Sequence, residues 1–256
     1  MDLKLNEDRL SLSAGDVQLS AVLVSPQEGS AESIAIMLHG GPGGEKDGPS
    51  QLYSNLAAEL AGAGVASIRF DFRGVGESSG RYRDMTISSQ TKEYEAVFAL
   101  CRHMGFSNVA VIGESYGGTI AVRSRTANPD AVVLLWPAID FFDVTFAPFA
   151  TPQKMELARR DGYTVEDGDE IGLAFLEELH EVRDVWRDVK ALSAPTLLIH
   201  GTGDVEVPYS QSERAHDLIR SAKKLVLVDG ADHCMREPEE RVVVNQEIVD
   251  WLASHL

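Results

Sequence analysis

Residues 109–122 read VAVIGESYGGTIAV: an apolar run of β character, then GESYG, then a small-residue segment of helical character. The order strand, tight turn, helix confines the chain to folds that join those elements at a sharp corner. The two glycines of G-x-S-x-G permit that corner, and the serine between them projects clear of the sheet. Ser115 is therefore the candidate nucleophile. The pattern occurs a second time as GESSG at 76–80. There the central Ser78 lies several residues beyond the run VASIRF and is followed by polar RYRD, so it reads as loop.

Further strand-like runs fall near 9–13, 17–24, 34–38, 66–70, 131–136, 195–199 and 224–228. Several are unbroken, as required of parallel strands buried on both faces. Helical patterns near 50–62, 88–104, 115–127, 208–220 and 238–255 lie between them. This alternation predicts right-handed crossovers and an α/β, doubly wound, mostly parallel sheet. The alternation breaks between 139 and 190, which opens with FFDVTFAPFATP and continues as helical patterns around 153–160 and 169–189. Long non-strand insertions in compact α/β domains serve function more often than they idle. The reading is a core of residues 1–138 and 191–256 carrying a small helical cap, 139–190, over the C-terminal sheet edge. The acidic residues of its second half, Glu166 and Glu170 among them, read as a solvated helix face.

A serine hydroxyl attacks only when a base removes its proton, and the base needs a carboxylate to fix its tautomer and stabilise its cation. Behind such an elbow the acid and then the histidine follow in chain order. APTLLIHGTGDVEVP (194–208) is an apolar strand whose glycine turn delivers Asp204, and KLVLVDGADHCM (224–235) is another whose loop delivers His233. Asp140, after AVVLLWPAI, is the competing acid. It lies beyond Pro137 at the entrance to the insertion, so Asp204 is preferred. An oxyanion needs amides aimed at it. Tyr116, directly after the serine, supplies one. Gly41, in the loop HGGPGG (39–44), supplies the other, while His39 at the head of that loop is read as structural. His200 reads as packing beside the acid turn; Glu114 and Glu206 flank key positions and are left between pocket and scaffold.

Joined in this order, HGGPGG, DFRGVGESSG, GESYGG, GTGDVEVP and GADH resemble the serine hydrolases of the α/β-hydrolase superfamily, over about residues 9–255. The resemblance implies Ser115 as nucleophile, Asp204 as acid, His233 as base and the amides of Gly41 and Tyr116 as oxyanion donors. It also implies that Asp71 and Arg73 stabilise a loop. The layout is similar to small-cap bacterial esterases of the cinnamoyl or feruloyl type, which implies a carboxylic ester substrate and a pocket walled by Phe141, Phe142, Phe146, Phe149 or Trp186. HGGPGG followed by an Arg-Gly loop is similar to prolyl aminopeptidases, an alternative in which acidic cap residues would receive an ammonium group. A thioesterase is compatible with the same residues, and a ligand-binding receptor on this fold is the alternative outside enzymes.

Composition narrows the partners. The formal net charge is −17, with no Lys/Arg cluster to follow a phosphate backbone, so nucleic acid and anionic membrane surfaces are not expected partners. The start MDLKLNEDRL does not read as a leader and AVVLLW is too short to span a bilayer, which predicts a cytoplasmic protein. Cys101 and Cys234 read as free thiols, and no clustering of ligand residues calls for a metal or cofactor. Oligomeric state is not legible.

Overall fold

In the computed structural model the described residues are 5–27, 31–41, 44–141, 150–166, 168–181 and 185–256. They build one eight-stranded sheet with helices on both faces. Strands β1 (Leu5–Ala14) and β2 (Val17–Pro26) form an antiparallel hairpin turned at Gly15, whose φ of 64° is left-handed. The rest of the sheet comprises β3 (Ser33–Leu38), β4 (Ala66–Phe70), β5 (Asn108–Glu114), β6 (Ala131–Leu135), β9 (Thr196–Gly201) and β10 (Lys223–Val228). The order is β1-β2-β4-β3-β5-β6-β9-β10, with β2 antiparallel to β4 and every later pairing parallel.

The unbroken runs have the reason expected of them. Alternate side chains enter opposite faces of a strand, and both faces here are covered. Ile34, Ile36, Leu38, Val109, Val111, Val132 and Leu134 join one core. It is completed by α2 (Ile87–His103), α3 (Tyr116–Arg123) and α7 (Ser210–Leu218). Ala35, Met37, Ala110, Ile112, Val133 and Leu135 join a second core under α1 (Leu52–Gly62) and α8 (Pro238–His255). Chain direction across the sheet reverses between β4-β3 and β3-β5, which opens a crevice between the loops that leave β3 and β5.

The inserted segment differs from its sequence reading in one respect. It contains α4 (Pro152–Asp161), a hairpin of β7 (Tyr163–Glu166) and β8 (Asp169–Gly172), then α5 (Leu173–Glu181) and α6 (Val185–Lys190). Residues 169–172 are thus strand, not the start of a helix. Gly162 ends α4 with φ 86° and turns the chain straight into β7. The segment docks on the turn Tyr82–Asp84: a Cβ at Gly172 would lie 1.9 Å from Arg83 O, and Arg83 pairs with Glu170 at 3.1 Å. At its far end the buried carboxylate of Asp188 on α6 holds Arg123 at 2.6 Å and also Arg125, beyond the end of α3. No helix among the described residues is long and apolar enough to cross a membrane.

Candidate active site

Ser115 stands between β5 and α3 with φ 51° and ψ −119°, a conformation L-residues adopt only when their surroundings force it. Both glycines of the motif supply that force. A Cβ at Gly113 would lie 2.5 Å from Gly117 O, and one at Gly117 would lie 2.2 Å from Leu38 O, so α3 can approach the strands only if both are bare. The corner is then locked by Ser115 N donating to Leu135 O at 2.9 Å, and by Ser115 O accepting from Gly118 N and Ala138 N.

Asp204 and His233 arrive on loops that also depend on glycine. A Cβ at Gly201 would sit 2.2 Å from Ala231 O and one at Gly203 2.5 Å from Gly230 O, while Gly203 N donates to Ala231 O at 3.0 Å. The loops after β9 and β10 therefore lie against each other. His233 Nδ1 is 2.7 Å from Asp204 Oδ2, and His233 Nε2 is 3.2 Å from Ser115 Oγ. With the carboxylate on Nδ1, the ring proton sits there and Nε2 presents its lone pair to the hydroxyl. Asp140 lies elsewhere: its amide and that of Ile139 donate to Gln211 Oε1 on α7.

Asp204 is well supplied with donors. Oδ1 accepts from Glu206 N at 2.9 Å and Val207 N at 2.8 Å, and Oδ2 accepts from His200 Nε2 at 3.1 Å as well as from His233. His200 is fully buried, its Nε2 shared between Asp204 and Val207 O at 2.9 Å and its other nitrogen facing Ser212 Oγ at 2.7 Å, so it ties the acid to its own loop rather than merely packing beside it. Burial alone would raise the Asp204 pKa. The hydrogen bonds from His200 and His233, the His233 charge and the Val207 amide overcome it and hold the carboxyl well below its usual range. For His233 burial lowers the pKa, but the Asp204 hydrogen bond and charge, with Glu206 and Glu114, raise it above the ordinary imidazole value.

The loop after β3 is anchored twice. His39 is buried and bridges loops: Nδ1 donates to Gly40 O at 2.6 Å and Nε2 accepts from Phe72 N at 3.1 Å, with burial lowering its pKa. Gly40 N donates to Glu114 Oε1. Gly41 follows, close enough to Tyr116 that a Cβ there would meet the ring at 3.4 Å. Tyr116 opens α3, where first-turn amides point out of the helical ladder. Pro42 and Gly43 lie outside the described residues. A groove of about 430 Å³ opens at Ser115 and His233, walled by Gly41, Glu45, Glu206 and Arg236.

Ser78, Asp71 and Arg73 form scaffold. Ser78 Oγ accepts from Ser20 N at 2.8 Å and donates to Asp71 O at 2.6 Å, fastening its loop to β2. Asp71 accepts from Lys46 N and Lys46 Nζ, and Arg73 pairs with Glu93. Of the aromatic residues read as pocket walls, Phe141 is buried with its ring 6.2 Å from that of Tyr116. Trp186 lies instead under the Arg214 guanidinium, 4.1 Å away, in a contact with α7. Phe142, Phe146 and Phe149 fall outside the described residues. Sequence reasoning missed Phe175, buried on α5 with its ring 6.2 Å from Tyr116, and Trp136, whose indole donates to Glu114. Neither carries a local signal, because each reaches the site through tertiary packing.

The sequence profile of the prolyl oligopeptidase family matches residues 52–256. Among curated relatives, human "Palmitoyl-protein thioesterase ABHD10, mitochondrial" is 27% identical over 204 residues, which are 75% of this chain and 65% of that protein. The chain thus spans slightly under two thirds of that relative's length. Among solved structures, Est1E from Butyrivibrio proteoclasticus with bound ferulic acid aligns at TM-score 0.78 and 21% identity, covering 96% of this chain and 98% of its own. The monoacylglycerol lipase of Paleococcus ferrophilus aligns at TM-score 0.72 and 21% identity over 99% of this chain and 100% of its own. These alignments show the α/β-hydrolase fold.

Proposed function

The chain belongs to the prolyl oligopeptidase family of α/β hydrolases, and we propose that within it this protein cleaves carboxylic esters through an acyl-enzyme. The observation that carries the reading is the unbroken line from Ser115 Oγ to His233 Nε2 at 3.2 Å and from His233 Nδ1 to Asp204 at 2.7 Å. Ser115 attacks the carbonyl carbon while its proton passes to His233 Nε2. The amides of Gly41 and Tyr116 receive the oxyanion, and Asp204 holds the ring and stabilises its cation. His233 then protonates the departing alcohol, and water repeats the sequence on the acyl-enzyme. The inserted segment acts as a cap, and its Phe141 and Phe175 pack about the ring of Tyr116, the residue that follows the nucleophile.

A thioester is the second reading, favoured by the likeness to a palmitoyl-protein thioesterase. Attack and oxyanion are the same for both, and only the leaving atom differs. The aminopeptidase reading is weakened by the acidic residues it would need: Glu166 pairs with Lys154 and Glu170 with Arg83 within the scaffold itself. The receptor reading is weakened by a base placed 3.2 Å from the strained serine.

The test is kcat/KM for the wild type and Ser115→Ala on a short acyl ester, a hydroxycinnamate ester, an acyl thioester and an aminoacyl arylamide. Esters should lead, and Ser115→Ala should retain only the roughly 10³–10⁴-fold acceleration over water that binding and oxyanion contacts provide. Faster thioester turnover would select the second reading. Arylamide turnover matching that of esters, or ester turnover that survives Ser115→Ala, would overturn the proposal.

A further inference from the structure

Glu114, one of the two variable residues of the elbow, has its carboxylate in the protein interior, 3% exposed and yet at the wall of the groove beside Ser115 and His233. An isolated buried carboxylate is costly, so its partners indicate what it is for. Oε1 accepts the Gly40 amide at 2.5 Å, and Oε2 accepts the Trp136 indole N–H at 3.1 Å. A Cβ at residue 40 would lie 2.8 Å from Oε1, so the loop approaches the carboxylate closely only because residue 40 is glycine. Both oxygens face donors. A carboxylate satisfies such a pair, whereas a glutamine would turn its NH₂ group against one of them.

We propose that Glu114 is a positioning residue: by clamping the Gly40 amide against the Trp136 indole it fixes the loop whose next residue, Gly41, presents its amide to the oxyanion. The inference rests on the hydrolytic reading of Ser115 given above. Pre-placed donors act in the transition state and not on the ground-state substrate, so loosening the clamp lowers kcat and leaves KM nearly unchanged. The charge has its own consequence. The ionisable groups that face Glu114 are His233 and Cys234 in the loop after β10, Arg241 on α8 and Tyr53 on α1. Among them His233 changes charge during the reaction, and the Glu114 carboxylate favours its protonated form.

Two substitutions separate clamp from charge. Glu114→Asp keeps the charge but is too short to reach both donors, and Glu114→Gln keeps the length but loses the charge and one acceptor. With p-nitrophenyl acetate as substrate, both should lower kcat by about 10- to 100-fold, within what loss of one oxyanion donor costs, with KM changed by less than about twofold. The acid limb of kcat/KM should move to lower pH in Glu114→Gln and stay in place in Glu114→Asp. The rate of labelling by a fluorophosphonate, whose phosphoryl oxygen occupies the oxyanion position, should fall in parallel and requires no choice of substrate. If circular dichroism shows either variant unfolded, Gly40→Ala reads the clamp, since its added methyl displaces Oε1. Unchanged kcat and labelling in the folded variants overturn the inference. Labelling or turnover that persists in Ser115→Ala would instead remove the hydrolytic reading beneath it.

Discussion

At the scale of single residues the proposed site is a hydrogen-bonded line, Ser115 to His233 to Asp204, whose last member is unusually well supported. Asp204 accepts from two backbone amides and two histidines, so its negative charge is spread over four donors. Removing that carboxylate misplaces His233 or inverts its tautomer, and Asp204→Asn should lose up to about 10⁴ in kcat. Asp140→Asn should lose far less, because residue 140 is held to Gln211 through its backbone. Kinetics of the two variants, with folding checked by circular dichroism, decide between the acids. Because Asp204, Glu206 and Glu114 together raise His233 against the effect of burial, the acid limb of kcat/KM should lie above the unperturbed value of about 6.5. Activity is lost below that limb, where His233 is protonated and cannot accept the serine proton. A flat profile from pH 5 to 8 would contradict a histidine base. Ser78→Ala offers a contrast: phosphonate labelling should persist, while loss of two part-buried hydrogen bonds lowers stability by about 0.5–1.5 kcal/mol in a denaturant titration. Asp204 and His233 were legible because each follows an apolar run and a glycine. The partners of Glu114 and the donation from His200 were not, since they come from residues far apart in sequence or from a loop folding back on its strand.

At the scale of elements the elbow is a problem of space. Its two glycines admit a helix that would otherwise collide with β3 and with the elbow itself, and the strained φ of Ser115 follows from that contact. Gly117→Ala should therefore destabilise the fold by on the order of 3–5 kcal/mol, read as a drop in melting temperature, because its Cβ meets the backbone of Leu38 and not a movable side chain. The parallel strands were readable because burial on both faces leaves an unbroken apolar run. The hairpin Tyr163–Glu166 with Asp169–Gly172 escaped the same reading: each strand has only four residues, two of them acidic in the second, and the pair is stabilised by docking on the Tyr82–Asp84 turn. The end of α3 at Arg123 was also set from outside, where Ser124 Oγ donates to Glu95 on α2.

At the scale of the molecule, the sheet order places the loops after β3 and β5 on either side of the reversal and brings the β9 and β10 loops alongside them. Four stretches far apart in sequence thereby meet at one serine. The inserted segment shares the apolar core of the sheet through Phe175, Leu176, Leu179, Val185 and Val189, the Gly172 contact adds to this, and Asp188 is its most deeply buried ionic anchor among the described residues. Asp188→Ala leaves Arg123 and Arg125 partly in water, so the cost should be nearer 1–2 kcal/mol than the 3–5 kcal/mol, roughly, of a fully buried pair. Proteolysis of the segment, measured alongside global unfolding, should accelerate more than the stability change alone accounts for. The central claim, that the hydroxyl of Ser115 attacks the substrate, is tested most directly by peptide mapping after reaction with a fluorophosphonate. One phosphonylated residue is expected, Ser115, with loss of the label when Asp204 is changed to Asn or the protein is held below the acid limb of His233. A label on Ser78 or on any other side chain, or a folded protein that takes none at neutral pH, would contradict it.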